Sequence, residues 1–151
     1  MNIRVGRGSS MTDSPVLASL FISLPNQVLR TKTPVVYLDK NLLISQETRK
    51  IDFIIGASPM MQFELFSGLP TIAIEAGLGL NYLNRQEMGG RRLGSNVLFC
   101  TTLSGGIKVP WTNGLLGLFY TFKHLSNAGF SDENAGINFQ YLVLSFNFAS
   151  L

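Results

Sequence analysis

Residues 141–148, Tyr141-Leu142-Val143-Leu144-Ser145-Phe146-Asn147-Phe148, decide the fold. In an extended chain Leu142, Leu144, Phe146 and Phe148 fall on one side, and Tyr141, Val143, Ser145 and Asn147 on the other. The same period of two sets Leu116, Leu118, Tyr120 and Phe122 against Gly117, Phe119, Thr121 and Lys123. It recurs where Ile72, Ile74, Ala76, Leu78 and Leu80 alternate with Thr71, Ala73, Glu75, Gly77 and Gly79. Strict alternation of this kind marks strands. A soluble sandwich would bury its apolar face and spread charge over the other. Here the second faces carry only Glu75 and Lys123 as charges, too few for a surface in water. They suit the packed, polar interior of a small barrel whose apolar face meets lipid.

Outward from these strands, period-two runs bounded by Gly, Pro, Asn, Asp and Ser number eight: 2–8, 15–25, 33–44, 50–65, 69–83, 95–108, 114–126 and 137–149. Most exceed the usual strand of about 5–6 residues and reach the roughly 9–11 that a tilted membrane strand needs. The first is short for that task. The connections also alternate. Phe66-Ser67-Gly68-Leu69 is tight, and 109–114 carries an Asn-Gly turn signal, whereas 84–94 and 127–136 are longer and polar. Outer-membrane barrels have short periplasmic turns and longer outer loops. The expected class is therefore all-β: an eight-stranded antiparallel transmembrane β-barrel of the outer membrane, one domain over residues 1–151. Trp111 then falls at the inner aromatic girdle.

Composition agrees. Charged residues make up 14% of the chain, against about 25% in an ordinary soluble domain. Yet neither charge-free stretch makes a spanning helix: 14–29 is interrupted by Pro25, and 134–151 carries Asn, Gln and Ser. One cysteine, Cys100, excludes an internal disulfide framework and a cysteine-rich zinc site, and one histidine excludes multi-histidine metal sites. A net charge of +3 without a basic helix argues against nucleic acid as a partner. The opening residues do not read as a secretory signal, and an export signal is expected upstream. Gly77-Leu78-Gly79 is no dinucleotide motif, because no helix follows it.

The segment that carries chemistry is Tyr120-Thr121-Phe122-Lys123-His124-Leu125-Ser126-Asn127-Ala128-Gly129. His124 and Ser126 are two apart, so they share the side assigned to lipid. Polar groups there are costly without partners or purpose. A histidine beside a serine hydroxyl is the base–nucleophile pair of acyl transfer. The structural alternative is a pair of interfacial polar residues where the strand leaves the bilayer.

From Ile74 onward the chain resembles the PagL-type lipid A 3-O-deacylases of Gram-negative outer membranes. The resemblance rests on Ile74-Glu75-Ala76-Gly77-Leu78-Gly79, Leu93-Gly94-Ser95, Gly105-Gly106-Ile107-Lys108, Asn134-Ala135-Gly136-Ile137 and above all His124-Leu125-Ser126-Asn127-Ala128-Gly129. It implies a barrel with its site on the lipid-facing wall, hydrolysing the ester-linked acyl chain at the 3-position of lipid A in the outer leaflet. Ser126 would be nucleophile and His124 general base, with no metal or cofactor. Asn127 and the backbone N–H groups of Ala128 and Gly129 would stabilise the oxyanion. The implied partners are lipid A or lipopolysaccharide and outer-membrane lipid, with a homodimer left open.

One position departs from the family. Its third member is a Glu after the Gly-Ile pair, and that place is Asn138 here. An amide oxygen can orient the ring, but it cannot balance an imidazolium, and Asp→Asn in a serine-protease triad costs about 10⁴-fold in kcat. Asp132 and Glu133 in the adjoining loop are substitutes or solvated carboxylates. Arg85, Arg91 and Arg92, in the other long loop, are candidates for binding substrate phosphate. Glu75 and Lys123 are expected to pair inside the barrel. The rival readings are a catalytically weak or inactive barrel that binds lipopolysaccharide or serves structurally, and a soluble barrel carrying an apolar ligand.

Overall fold

The computed structural model describes residues 2–10, 18–30, 34–47, 50–66, 69–88, 90–112 and 114–148. Ser67, Gly68 and Asn113 of the expected turns lie outside the described residues, as do the ends of several expected strands (15–17, 33 and 149). Among the described residues there are ten strands: β1 (Asn2–Ser10), β2 (Ala18–Arg30), β3 (Val35–Glu47), β4 (Lys50–Phe66), β5 (Thr71–Leu83), β6 (Glu87–Met88), β7 (Arg91–Arg92), β8 (Val97–Trp111), β9 (Gly114–Ser126) and β10 (Ile137–Phe148). Eight of them close an antiparallel barrel in the order β1-β10-β9-β8-β5-β4-β3-β2, while β6 and β7 form a separate hairpin. β1 spans nine residues and pairs with both β10 and β2, so it closes the barrel.

Three differences from the sequence reading concern the strands, the first being that β8 runs on to Trp111, into the expected 109–114 connection. β2 runs through Pro25 to Arg30, five residues past the expected end, with a register shift between Gln27 and Leu29. The β6–β7 hairpin falls inside a stretch expected as loop, because two-residue strands have no period to detect.

Facing follows the alternation. Leu118, Tyr120, Leu142, Leu144, Ile72, Ile74, Leu78 and Leu80 are exposed on the outer wall, while Phe119, Tyr141, Val143 and Ala73 are buried inside. Water would not tolerate so continuous an apolar exterior, whereas lipid does. Trp111 is exposed at the short-turn end, edge-on to Phe146 at 6.0 Å.

The interior is polar and paired. Glu75 accepts two 2.6 Å hydrogen bonds from Arg4, whose guanidinium also lies 5.2 Å from the ring centres of Tyr37 and Phe119. Lys123 donates to Asn41 (2.8 Å) and Asn81 (3.2 Å). This corrects the expected Glu75–Lys123 pair. In register Glu75 is level with Ser104 and Thr121, two residues from Lys123, and Arg4 reaches it from the closing strand. Toward the long-loop end the filling turns apolar, with Leu43, Ile54, Leu83, Leu98, Leu125 and Ile137 meeting Met88 and Leu93 of the hairpin segment. The hairpin is thereby anchored over the barrel mouth, beside the ends of β9 and β10.

Candidate active site on the outer wall

The pairing of β9 with β10 sets His124 directly opposite Asn138. Both are half-buried, on the face that carries Leu118 and Tyr120. His124 Nδ1 lies 2.6 Å from Asn138 Oδ1. An amide oxygen only accepts, so Nδ1 carries the proton and Nε2 keeps its lone pair. Ser126 ends β9 on the same face, about 6.6 Å from His124 along the strand. No hydrogen bond joins the hydroxyl to the imidazole, and such contacts often tighten only when substrate binds. Ser126 pairs with Phe99, whose ring stacks on Phe130 at 5.7 Å, so an aromatic pair stands beside the hydroxyl.

The chain turns sharply after Ser126. Phe130 N–H donates to Asn127 C=O (3.1 Å), and both central residues are left-handed, Ala128 at φ 54° and Gly129 at φ 83°. Such a turn suits glycine, and Ala128 holds the conformation at a cost of roughly 1 kcal/mol. Asn127 anchors this loop. Its Nδ2 donates to Leu93 C=O (2.9 Å), Ser131 Oγ (2.9 Å) and Glu133 C=O (2.7 Å), and its Oδ1 accepts from Gly129 N–H (2.9 Å). Its own N–H is taken by Asn134 Oδ1. The side chain of Asn127 is thus buried in the loop, and neither it nor Gly129 N–H is presented to the outer wall. Of the three expected oxyanion groups, only Ala128 N–H is uncommitted among the described residues.

On the other side of the loop, Gly136 (φ 55°) packs against the imidazole. A Cβ built there would lie 3.0 Å from His124 Cε1. Gly136 therefore answers to two constraints, its backbone angle and the ring beside it.

The three arginines expected to bind phosphate are engaged with protein. Arg85 pairs with the buried carboxylate of Asp52. Arg91 donates to the carbonyls of Ala135 (2.9 Å) and Gly136 (3.4 Å). Arg92 pairs with Glu133 at 2.9 Å, a hydrogen bond that holds its guanidinium above its ordinary pKa. Glu133 and Asp132 are exposed, and neither bonds His124. The hairpin thus braces the loop: Arg91, Arg92 and the Leu93 carbonyl all grip residues 127–136. Among the described residues no group of three His, Cys, Asp or Glu side chains could hold a metal.

Below the site on the same wall lies an open groove of about 420 Å³, lined by Phe63, Ile74, Leu103, Gly105, Tyr120 and Phe122. Gly105 makes it, since a Cβ there would meet nothing within 4 Å.

A family model described as lipid A 3-O-deacylase (PagL) matches residues 27–147, spanning both β9 and β10. The chain belongs to the PagL family. The fold agrees: the crystal structure of the outer membrane enzyme PagL superposes with a TM-score of 0.80 at 21% identity, covering 98% of this chain and 100% of that one. No curated protein sequence matches the chain. Gly136, the Phe99–Phe130 stack and the Gly105 groove are features the sequence reading missed. The Gly105-Gly106 pair and the Gly136-Ile137 step were their visible traces.

Proposed function

We propose that this protein is an outer-membrane esterase that removes the 3-O-linked acyl chain of lipid A in the outer leaflet, with Ser126 as nucleophile and His124 as base. The observation that carries the reading is the 2.6 Å His124–Asn138 contact beside Ser126, on a wall that otherwise meets lipid. With Nδ1 protonated by the Asn138 contact, Nε2 is the basic nitrogen. Ser126 Oγ attacks the ester carbonyl while His124 Nε2 takes its proton. The tetrahedral oxyanion is stabilised by Ala128 N–H, the donor left uncommitted once Asn127 and Gly129 N–H are spent within the loop. Collapse breaks the bond to the sugar oxygen, which leaves with the proton from His124. Water, activated by the same imidazole, then frees the fatty acid from Ser126. The groove at Gly105 receives the acyl chain, and the long-loop end faces outward, which sets the scissile ester near the membrane surface.

Ser126→Ala and His124→Ala should each abolish release of the 3-linked chain, followed by mass spectrometry of lipid A, while the barrel keeps its heat-modifiable migration. The pair acts as a unit, so the double variant should be scarcely worse than either single one. Activity retained in Ser126→Ala would remove Ser126 as nucleophile. A second reading draws on Asn138 itself: a barrel that binds lipid A with little or no turnover. It predicts bound but intact lipid A with the unaltered protein.

A further inference from the structure

The polar groups of the outer wall do not stop at Asn138. Tyr120 Oη donates to Gln140 Oε1 (2.6 Å), and Gln140 Nε2 donates to Ser9 Oγ (3.5 Å), carrying a hydrogen-bonded line from β9 across β10 to β1. Ser9 is the register partner of Gln140, and Arg7 that of Leu142. The inward residues Arg4 and Gly6 of β1 are buried, whereas Val5 and Arg7 are exposed on the outer wall. Arg7 makes no ion pair or hydrogen bond among the described residues. An arginine aimed at lipid is costly at mid-bilayer and cheap only near the surface.

The register supplies its depth. A path perpendicular to the strands runs from Ser10 through Phe139, Lys123, Thr102, Gly77, Met60 and Tyr37 to Gln27. Gln27 lies four residues beyond Ser23, the partner of Arg4, so the path returns to β1 at position 0, ten residues from where it began. The strands are tilted by that stagger. Shared over eight strands, a level line therefore shifts by a little over one residue per strand toward the long-loop end on going from β1 to β10 to β9. Arg7, opposite Tyr120 in register, is then level with about residues 122–123, and Ser9 with about 124–125. Arg7 and Ser9 sit at the depth of His124, two strands to its side.

Resting on the deacylase reading above, we infer that the outer wall of β1 and β10 is a subsite for a phosphate ester at the membrane surface, with Arg7 as the anion partner and Ser9 as a hydroxyl donor oriented by Gln140. A sugar whose acyl ester is seated at Ser126 lies flat at this depth. The phosphate it carries reaches sideways over Asn138 and Gln140, where a guanidinium fork can grip two of its oxygens. The loop arginines, already engaged with Asp52, Ala135, Gly136 and Glu133, do not offer this.

The test measures binding, so that it stands apart from turnover. The Ser126→Ala protein in detergent is titrated with lipid A, with chemically dephosphorylated lipid A and with phosphatidic acid, with and without Arg7→Gln. Arg92→Gln serves as a charge control, and heat-modifiable migration reports folding. Arg7→Gln should weaken phosphorylated lipid A about tenfold, leave the dephosphorylated form unchanged, and be partly rescued by Arg7→Lys. An Arg7-dependent effect confined to lipid A identifies the phosphate as the substrate's own. The same effect with phosphatidic acid identifies a general lipid-headgroup subsite, and both results uphold the anion site. Equal affinity in Arg7→Gln, equal loss on the dephosphorylated form, or the same loss in Arg92→Gln overturns it. Absence of hydrolysis in the unaltered protein with Arg7-dependent binding intact would sink the catalytic reading alone.

Discussion

Asn138→Asp is the substitution that separates orientation from charge at this site. Asparagine and aspartate are nearly isosteric, so one carboxylate oxygen takes the place of Oδ1, 2.6 Å from His124 Nδ1, with no rearrangement. What changes is a negative charge about 4 Å from the centre of the imidazolium that forms when Ser126 loses its proton. At an effective dielectric of 20 such a pair is worth about 4 kcal/mol. Both residues are half-buried, and the new carboxylate loses part of its hydration, which offsets about half of that gain. A lowering of the barrier by about 1.5–3 kcal/mol remains, or roughly 10- to 100-fold in kcat. That is well short of the 10⁴ of a serine-protease triad, whose loss includes a wrong tautomer that Asn138 already avoids. Glutamate, one methylene longer than the gap now spanned, should gain less than aspartate, and Asn138→Leu should lower activity. The assay is release of the 3-linked acyl chain from lipid A in mixed micelles under saturating substrate. Were Asn138→Asp to leave kcat unchanged in a folded barrel, His124 would not be the group that becomes charged, and the proposed mechanism would fail.

Leu118→Arg, in the middle of the exposed apolar face, should destabilise the membrane-inserted barrel by about 2–4 kcal/mol in vesicle folding titrations, whereas Val109→Arg near the short-turn rim should cost about 0–1; equal costs would refute the bilayer placement. Arg91→Ala removes the donor from the Ala135 and Gly136 carbonyls and frees Gly136 to shift against His124; kcat should fall about 10- to 100-fold with KM nearly unchanged, while Arg92→Ala does little. Gly105→Leu fills open space, so it should leave folding intact and depress kcat/KM for long acyl chains more than for short ones; a uniform change across chain lengths would separate the groove from the acyl chain.

What the sequence disclosed, and what it withheld, follows from how local each determinant is. Side-chain direction in a strand depends on parity alone, so Leu118 outward, Phe119 inward and the shared face of His124 and Ser126 could be read from one segment. The His124–Asn138 pairing needed one step more, the length of a single hairpin loop. Arg4 as partner of Glu75 was invisible, because it depends on β1 closing the barrel across a chain separation of 71 residues. The same holds for Asn127. Its place after Ser126 suggested an oxyanion donor, yet its amide is spent on the carbonyl of Leu93, whose position is set by a hairpin too short to show a period. Arg91's hold on the loop was hidden for the same reason: a cation in a polar loop gives no sign in sequence of the Ala135 and Gly136 carbonyls it bonds. The asymmetry has a functional consequence. Parity puts the nucleophile and the base on the wall cheaply, since any strand of the right pattern would do so. Their mutual geometry is held by long-range contacts from the β6–β7 segment, one of them the Arg91 grip on Gly136 against the imidazole. Catalytic competence in this fold should therefore be more sensitive to loss of Arg91 than barrel folding is, because Arg91 holds the 127–136 loop and takes no part in the eight paired strands.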